Sequence, residues 1–324
     1  MVQRFLTCAL AITLGATIAG CAKTETTTTS SSSGTAASSA ARASGSKVIG
    51  FSVQNREAQF YQQLETGMKA EAEKSGYTVT VVDASRDNSK QQSQIEDFIS
   101  QKVAAIVITP YDSKAIGSAI AEANKAGIPV FTADIANASS NGEVVAHIAS
   151  DNIQGGGQAA KLMCAALPNK AGAVAILDEP EVTSVQDRVS GFKAALAKNC
   201  PNAKIVADID GGGERAKASS ATDDILQSHK DLKGIFGIND DSALGAAKSI
   251  QAAGMAGKVI VVGYDATPEG QAAIKAGTMY GDAIQHPDQI GVKTVAAIRD
   301  YFAGKKPPAK IAVEVGTFTK ADAK

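Results

Sequence analysis

The chain has 324 residues, a formal net charge of −1 and 44% hydrophobic residues, a composition that fits a soluble chain of about two domains. The near-zero charge leaves no electrostatic footprint for nucleic acid. The three histidines (His147, His229, His286) are widely separated and lack metal-ligand spacing, so no metal is expected.

Residues 1–21 read as a leader rather than as fold. Arg4 supplies a positive start, and residues 5–18 form an apolar run too short for a stable membrane span. Ile18-Ala19-Gly20-Cys21 then sets small residues before a cysteine. That is the pattern of a bacterial lipobox, in which Cys21 becomes the lipidated first residue; a plain signal peptide cut nearby is the alternative. Residues 22–46 are dominated by Ser, Thr, Ala and Gly, and cannot bury enough apolar surface to offset ordering. They read as a flexible tether. Lipid at one end and a spacer behind it place the body outside the cytoplasm, attached to the membrane through the lipid alone.

From Lys47 the chain alternates strands and helices. Strands are expected at residues 48–53, 79–82, 104–109, 129–133 and 144–149, with helices at 60–74, 89–101 and 115–125 between the first four. The pattern then restarts with helices at 155–167, 184–198, 216–229 and 242–253, and strands at 173–177, 204–209, 234–238 and 259–262. A strand at 279–284, a helix at 290–302, a breaker cluster at 304–308 and a last strand at 311–315 close the chain. Repeated βα units predict an α/β protein with two doubly wound parallel-sheet lobes. The closing pieces are too few for a third domain, so they complete the lobes and the chain crosses between them more than once. Cys164 and Cys200 fall near the ends of two successive helices; an exported chain permits their pairing without requiring it.

The central stretch is K-V-I-V-V-G-Y-D-A-T-P-E-G (258–270). Its β-branched run suits a strand buried on both faces. Tyr264 and Asp265 follow, where open α/β sheets hold their ligands. Asp265 is equally well placed to cap the next helix. A parallel arrangement recurs upstream, where a helix ends at Gly127 and a buried strand leads to Asp134. Two lobes, each with an Asp at the rim of its sheet, suit a cleft between domains.

No G-x-S-x-G elbow or P-loop occurs, and no cysteine has an obvious histidine partner. Gly155-Gly156-Gly157 and Gly211-Gly212-Gly213 lack the G-x-G-x-x-G spacing. No enzyme activity and no cofactor are therefore expected. The remaining polar groups suit a polyol: carboxylates accept from neighbouring hydroxyls, Arg donates a planar fork, and Asn and Gln do both.

Four segments carry a resemblance: G-E-V-V-A-H-I-A-S-D-N (142–152), F-G-I-N-D-D-S-A-L-G-A (236–246), V-V-G-Y-D-A-T-P-E-G (261–270) and Q-H-P-D-Q-I-G (285–291). They are similar to the ribose-binding-protein-like family, the substrate-binding components of bacterial sugar ABC importers. The resemblance covers Lys47 to about Val315. It implies two Rossmann-like lobes joined by a three-strand hinge and closing over a monosaccharide, in a monomer that docks on ABC permease subunits. The implied lobes are 47–148 with 286–312 and 149–285 with 313–324. The implied ligand contacts are the aromatic pair Phe60 and Tyr61, Asp134, Arg188, Asn239, Tyr264, Asp265 and the hinge amide Gln285. Gln54 occupies a position where ribose binders carry a serine.

This sequence also departs from the family pattern. Ile135 stands where ribose binders have an arginine after the first-lobe Asp, and Ala58 where they have an asparagine before the aromatic pair. An aromatic of the second lobe is replaced near Gly213, with Glu214 and Arg215 following. A pentose, hexose, sugar alcohol or cyclitol therefore fits as well as ribose. A sugar-responsive repressor shares such a body but needs a DNA-binding segment in front of it. A sensor subunit for a chemoreceptor or histidine kinase is the alternative to an import component.

Overall fold

The computed structural model describes residues 45–323; the leader, Cys21 and the tether through residue 44 lie outside the described residues. The first half runs β1 (Val48–Val53), α1 (Gln59–Lys74), β2 (Thr78–Asp83), α2 (Asn88–Ser100), β3 (Ala105–Ile108), α3 (Gly117–Lys125), β4 (Val130–Ala133) and β5 (Ala146–Ser150). Then come α4 (Asn152–Ala166), β6 (Ala171–Asp178), α5 (Thr183–Asn199), β7 (Asn202–Asp210), α6 (Arg215–Ser228), β8 (Leu232–Gly237), α7 (Asp240–Ala252), β9 (Ile260–Asp265), α8 (Pro268–Ala276) and β10 (Gly281–Ile284). The chain closes with α9 (Pro287–Phe302), β11 (Lys310–Val313) and β12 (Gly316–Thr319).

These strands build two six-stranded sheets, ordered β11-β5-β4-β3-β1-β2 and β12-β10-β9-β8-β6-β7. The first is parallel throughout. The second is parallel except for β12, which runs antiparallel beside β10. Three connections pass between the sheets: β5 to α4, β10 to α9 and β11 to β12.

The sheets are covered on both faces, which is why their central strands read as unbroken apolar runs. In the first lobe Phe51, Val107 and Phe131 face the layer holding Leu64 of α1 and Ile298 of α9. Ile106, Ile108 and Val130 face the opposite layer with Ile95 and Ile120. In the second lobe Val174, Phe236 and Val262 pack under α4 and α5, where Phe192 stacks on Phe236 at 4.3 Å. Leu177, Ile235 and Val261 pack under α6 and α7. The period of two along each strand feeds both cores at once.

The glycine run at 155–157 lies inside α4. A Cβ on Gly156 would stand 1.9 Å from the carbonyl oxygen of Arg188, and one on Gly155 would stand 1.9 Å from Oη of Tyr264. These glycines let α4 lie against α5 and β9. Cys164 and Cys200 form a disulfide, with Cα atoms 5.8 Å apart, linking the last turn of α4 to the residue after α5.

The helix after Asp265, anticipated without bounds, is α8 (Pro268–Ala276). One element departs from the expected order. The anticipated last strand, 311–315, is met by β11 (Lys310–Val313), and a further strand that was not anticipated, β12 (Gly316–Thr319), follows it in the other sheet.

Candidate functional site

The lobes meet across a polar cleft. Its cavity, about 140 Å³, is lined from the first lobe by Gln54, Phe60, Tyr61 and Asp134, and from the second by Arg188, Asn239 and Asp265. Gln285, just beyond β10 on a connection between the sheets, also lines it. Of the side chains expected at the ligand, Tyr264 alone is absent from this lining.

On the first-lobe wall, Oη of Tyr61 donates to Oε1 of Gln54 at 2.8 Å and lies 3.2 Å from Oδ2 of Asp134. Phe60 stands edge-on to Tyr61 with ring centroids 5.2 Å apart. Asp134 adopts φ 66°, a left-handed conformation that Asp tolerates better than most residues. The bend turns its side chain off the end of β4 into the cleft, and its Oδ1 is buried without a protein partner. Burial pushes the carboxyl up to about 6, against the pull of Arg188 and the Tyr61 hydrogen bond.

On the second-lobe wall, Arg188 projects from α5. Its Nε and Nη2 donate to Oδ1 of Asn152 at 3.2 and 2.9 Å, and Nη1 donates to the carbonyl of Ile238. A guanidinium has five N–H groups; three are committed to these bonds, and the Arg188 side chain lines the cavity. Tyr264 lies behind this fork. Its ring centroid is 3.7 Å from Cζ of Arg188, its Oη reaches Oδ1 of Asn152 at 3.2 Å, and the residue is fully buried. The pleat of β9 places Tyr264 with Val262 on the α4–α5 face, in the space that Gly155 leaves open. Tyr264 thus supports Arg188 and offers no stacking face to the cavity.

Asp265 does not cap α8. Thr267 is the N-cap, its Oγ1 accepting from the amide of Gly270. Asp265 takes φ 112° at the end of β9, and its Oδ1 accepts from Nε2 of Gln285 at 2.6 Å. Burial raises its pKa well above the usual carboxylate range, and nearby Asp240 adds to the shift. Asp240 and Asp282 lie behind it. Asp240 accepts from the amide of Thr267 at 2.7 Å, and burial holds Asp282 up at about 7. Asn239 caps α7, accepting from the amide of Ser242 at 2.9 Å and donating to the carbonyl of Gly213 at 3.0 Å. Its side chain is anchored at the cavity edge by those two bonds.

Three lining or supporting residues were not anticipated. Glu179, immediately after β6, lines the cavity and accepts from Gln54 across the cleft at 3.3 Å. It follows the same pattern that drew attention to Asp134 and Asp265, a carboxylate at the end of a buried strand, and was legible in L-D-E-P (177–180). Arg86 donates to the carbonyl of Gly212 at 2.7 Å and pairs with Glu214 at 3.1 Å, also across the cleft. Asn152 ends the segment 142–152 that carried the resemblance, yet nothing in its spacing disclosed that it anchors Arg188.

Residues 49–306 match the model of the periplasmic binding protein domain. The chain belongs to this periplasmic binding protein family. It is 33% identical to the ribose import binding protein of Salmonella typhimurium, over 85% of this chain and 91% of that one. It is 36% identical to the ribose import binding protein of Bacillus subtilis, over 81% of this chain and 85% of that one. Among solved structures it is similar to an ABC transporter solute-binding protein from Agrobacterium vitis with bound α-D-tagatopyranose. That match has a TM-score of 0.80 and 27% identity, covering 85% of this chain and 95% of that one. Periplasmic binding proteins of this kind are extracytoplasmic substrate-binding components of sugar importers rather than enzymes.

Within that family fold, the departure at position 135 has a physical account. Ile135 follows β4 of the first lobe but is buried in the hydrophobic cluster of the second, with Val182 and Val185. An arginine there would give the cavity another cation; the isoleucine seals its edge. The wall that remains is rich in acceptors, with the Arg188 fork, Arg86, Arg215 and amide groups as its donors. Hydroxyls, which both donate and accept, satisfy such a wall.

Proposed function

We propose that this chain is the lipid-anchored substrate-binding component of an ABC importer, taking a neutral monosaccharide or related polyol into the cleft and delivering it to the permease. The supporting observation is the convergence of Asp134, Arg188, Asp265 and Gln285, drawn from both lobes and a connection between them, on one small polar cavity. Asp134 and Asp265 accept from ligand hydroxyls, and Arg188 donates to ligand oxygens. Phe60 and Tyr61 cover an apolar face of the ring. Because the contacts come from both lobes, ligand and closure stabilise each other, with the three connections between sheets as hinge. The lobes divide close to 47–148 with 286–312 and 149–285 with 313–324, the crossings falling at the ends of β5, β10 and β11. Lipid on Cys21 holds the monomer at the membrane outside the cytoplasm.

A thermal-shift and calorimetric panel of D-ribose, D-allose, D-tagatose and myo-inositol tests the reading. A ligand at 100 times its Kd adds about 2.7 kcal/mol of stability. At least one of these compounds should raise the melting temperature and be recovered unchanged. No shift with any of them would overturn the reading. Separately, Cys21→Ser should release the protein from the membrane with binding intact; a variant still held there would remove the anchor.

A further inference from the structure

Glu179 is buried to 8% exposure at the cavity, and its position invites a ligand. Its Oε1 accepts from Nε2 of Gln54, whose own Oε1 is occupied by the hydroxyl of Tyr61. The amide of Gln54 is thereby fixed in one orientation, with its N–H side toward Glu179. Oε2 of Glu179 makes no hydrogen bond within the described residues, and no Lys, Arg or His among them stands within ion-pairing distance. The nearest candidate on the first lobe, Arg86, pairs with Glu214 instead. Room for the carboxylate is kept open by Gly213. That glycine has φ +61°, and a Cβ on it would stand 2.5 Å from Oε2. A carboxyl oxygen of a largely buried residue, open to a polar cavity and with no hydrogen-bond donor from the described residues, is an acceptor available to a ligand.

We propose that Glu179 is a third ligand-contacting carboxylate and a specificity-determining residue of this site, accepting a hydrogen bond from one hydroxyl of the bound polyol. The inference rests on the polyol-binding reading above and deepens it. The two rim aspartates, at the ends of β4 and β9, meet one set of hydroxyls. Glu179, at the end of β6 and tied to Gln54 of the facing lobe, meets another, so its contact is made only when the lobes come together. The site then rejects a sugar lacking that hydroxyl, because Oε2 would be left buried and unpaired.

The test is a cycle between protein and ligand in calorimetric titrations of the full chain. The probe is whichever of D-ribose, D-allose, D-tagatose and myo-inositol binds the wild type most tightly, together with each of its monodeoxy forms. Glu179→Gln should weaken the parent compound roughly ten- to a thousand-fold. One monodeoxy form should bind wild type and variant nearly alike, while the others keep the full loss. A role confined to structure would weaken parent and all deoxy forms by the same factor, and that pattern overturns the inference. Glu179→Ala, compared by unliganded melt, repeats the cycle without the altered amide; loss of the same selectivity supports the contact, and its retention overturns it. Failure of all four parent compounds to bind the wild type would instead take down the polyol reading itself.

Discussion

Gln285 donates from Nε2 to Oδ1 of Asp265 at 2.6 Å, and its own Oε1 is buried without a protein partner. A residue on a connection between the sheets is thus bonded to the carboxylate at the end of β9. Since Thr267 caps α8, Asp265 has no capping duty to lose. Asp265→Asn should leave the unliganded melting temperature unchanged or slightly higher, because burial and nearby Asp240 already disfavour a carboxylate there. Affinity should fall roughly ten- to a thousand-fold, as bonds to a charged acceptor contribute about 1.5–3 kcal/mol each. Titration calorimetry beside an unliganded melt checks both. Unchanged affinity would remove Asp265 from the site.

The buried acids give the unliganded protein an uncommon pH dependence. Asp134 is held up at about 6, and Glu179 and Asp282 at about 7, chiefly by burial. Their unfolded values lie near 4. The folded state therefore binds more protons between those limits. Their stabilising contribution is complete below about pH 4 and is lost as the pH rises through 6 to 7. His147 opposes them: burial lowers it to about 4, with help from Lys310, so its contribution is present above about pH 6.5 and lost as the pH falls toward 4. Melts from pH 4 to 8.5 should show stability falling on the alkaline side, with Glu179→Gln flattening that limb. Ligand hydroxyls favour the ionised acids, so binding near pH 6.5 should release protons. Calorimetry in buffers of different ionisation enthalpy reads that release; proton uptake instead would contradict the acceptor role.

The α4 glycines offer a third test. A methyl at position 155 collides with Oη of Tyr264, whereas one at position 157 meets only Cβ of Ala195 at 3.8 Å. Gly155→Ala should cost about 1–3 kcal/mol through overpacking and weaken binding by displacing the ring beneath Arg188. Gly157→Ala should be neutral or stabilising by about 0.5–1 kcal/mol, as Ala favours helix. Equal effects of the two changes would deny Tyr264 its supporting role.

Much of this was legible in the sequence, and the rest has identifiable reasons for being hidden. Buried parallel strands announce themselves by composition, so residues 48–53, 104–109 and 259–262 located their strands within one to three residues. Side-chain direction at a strand end is harder. Tyr264 and Asp265 are neighbours, but the pleat sends one under Arg188 and the positive φ of the other turns it into the cleft. Asn239 reads in the sequence as a ligand amide; in the fold its oxygen caps α7 and its nitrogen donates to the carbonyl of Gly213. The break between β11 and β12 falls at Glu314-Val315, and Gly316 opens the second strand. Only the facing partners, β5 and β10, distinguish the two.

The disulfide gives a fourth prediction. Cys164 and Cys200 close a loop across 36 positions, for which chain entropy predicts a stabilisation of about 3–4 kcal/mol. Reduction should lower the melting temperature and leave the Kd nearly unchanged, since neither cysteine lines the cavity. Loss of affinity in the still-folded reduced protein would show that the α4–α5 pair positions Arg188 only when tied.

The isoleucine at position 135 has a consequence for the resting population of this receptor. It belongs to one lobe and is buried among apolar side chains of the other. In the closing motion proposed above, each opening exposes it to water at a cost of about 1.5–3 kcal/mol. A shift of that size moves an open–shut equilibrium roughly ten- to a hundred-fold toward shut, with no sugar involved. Affinity gains, because less of the binding energy goes into closing. Discrimination between full and empty receptors declines in the same proportion, so a transporter that responds to the shut shape would more often be met by an empty carrier.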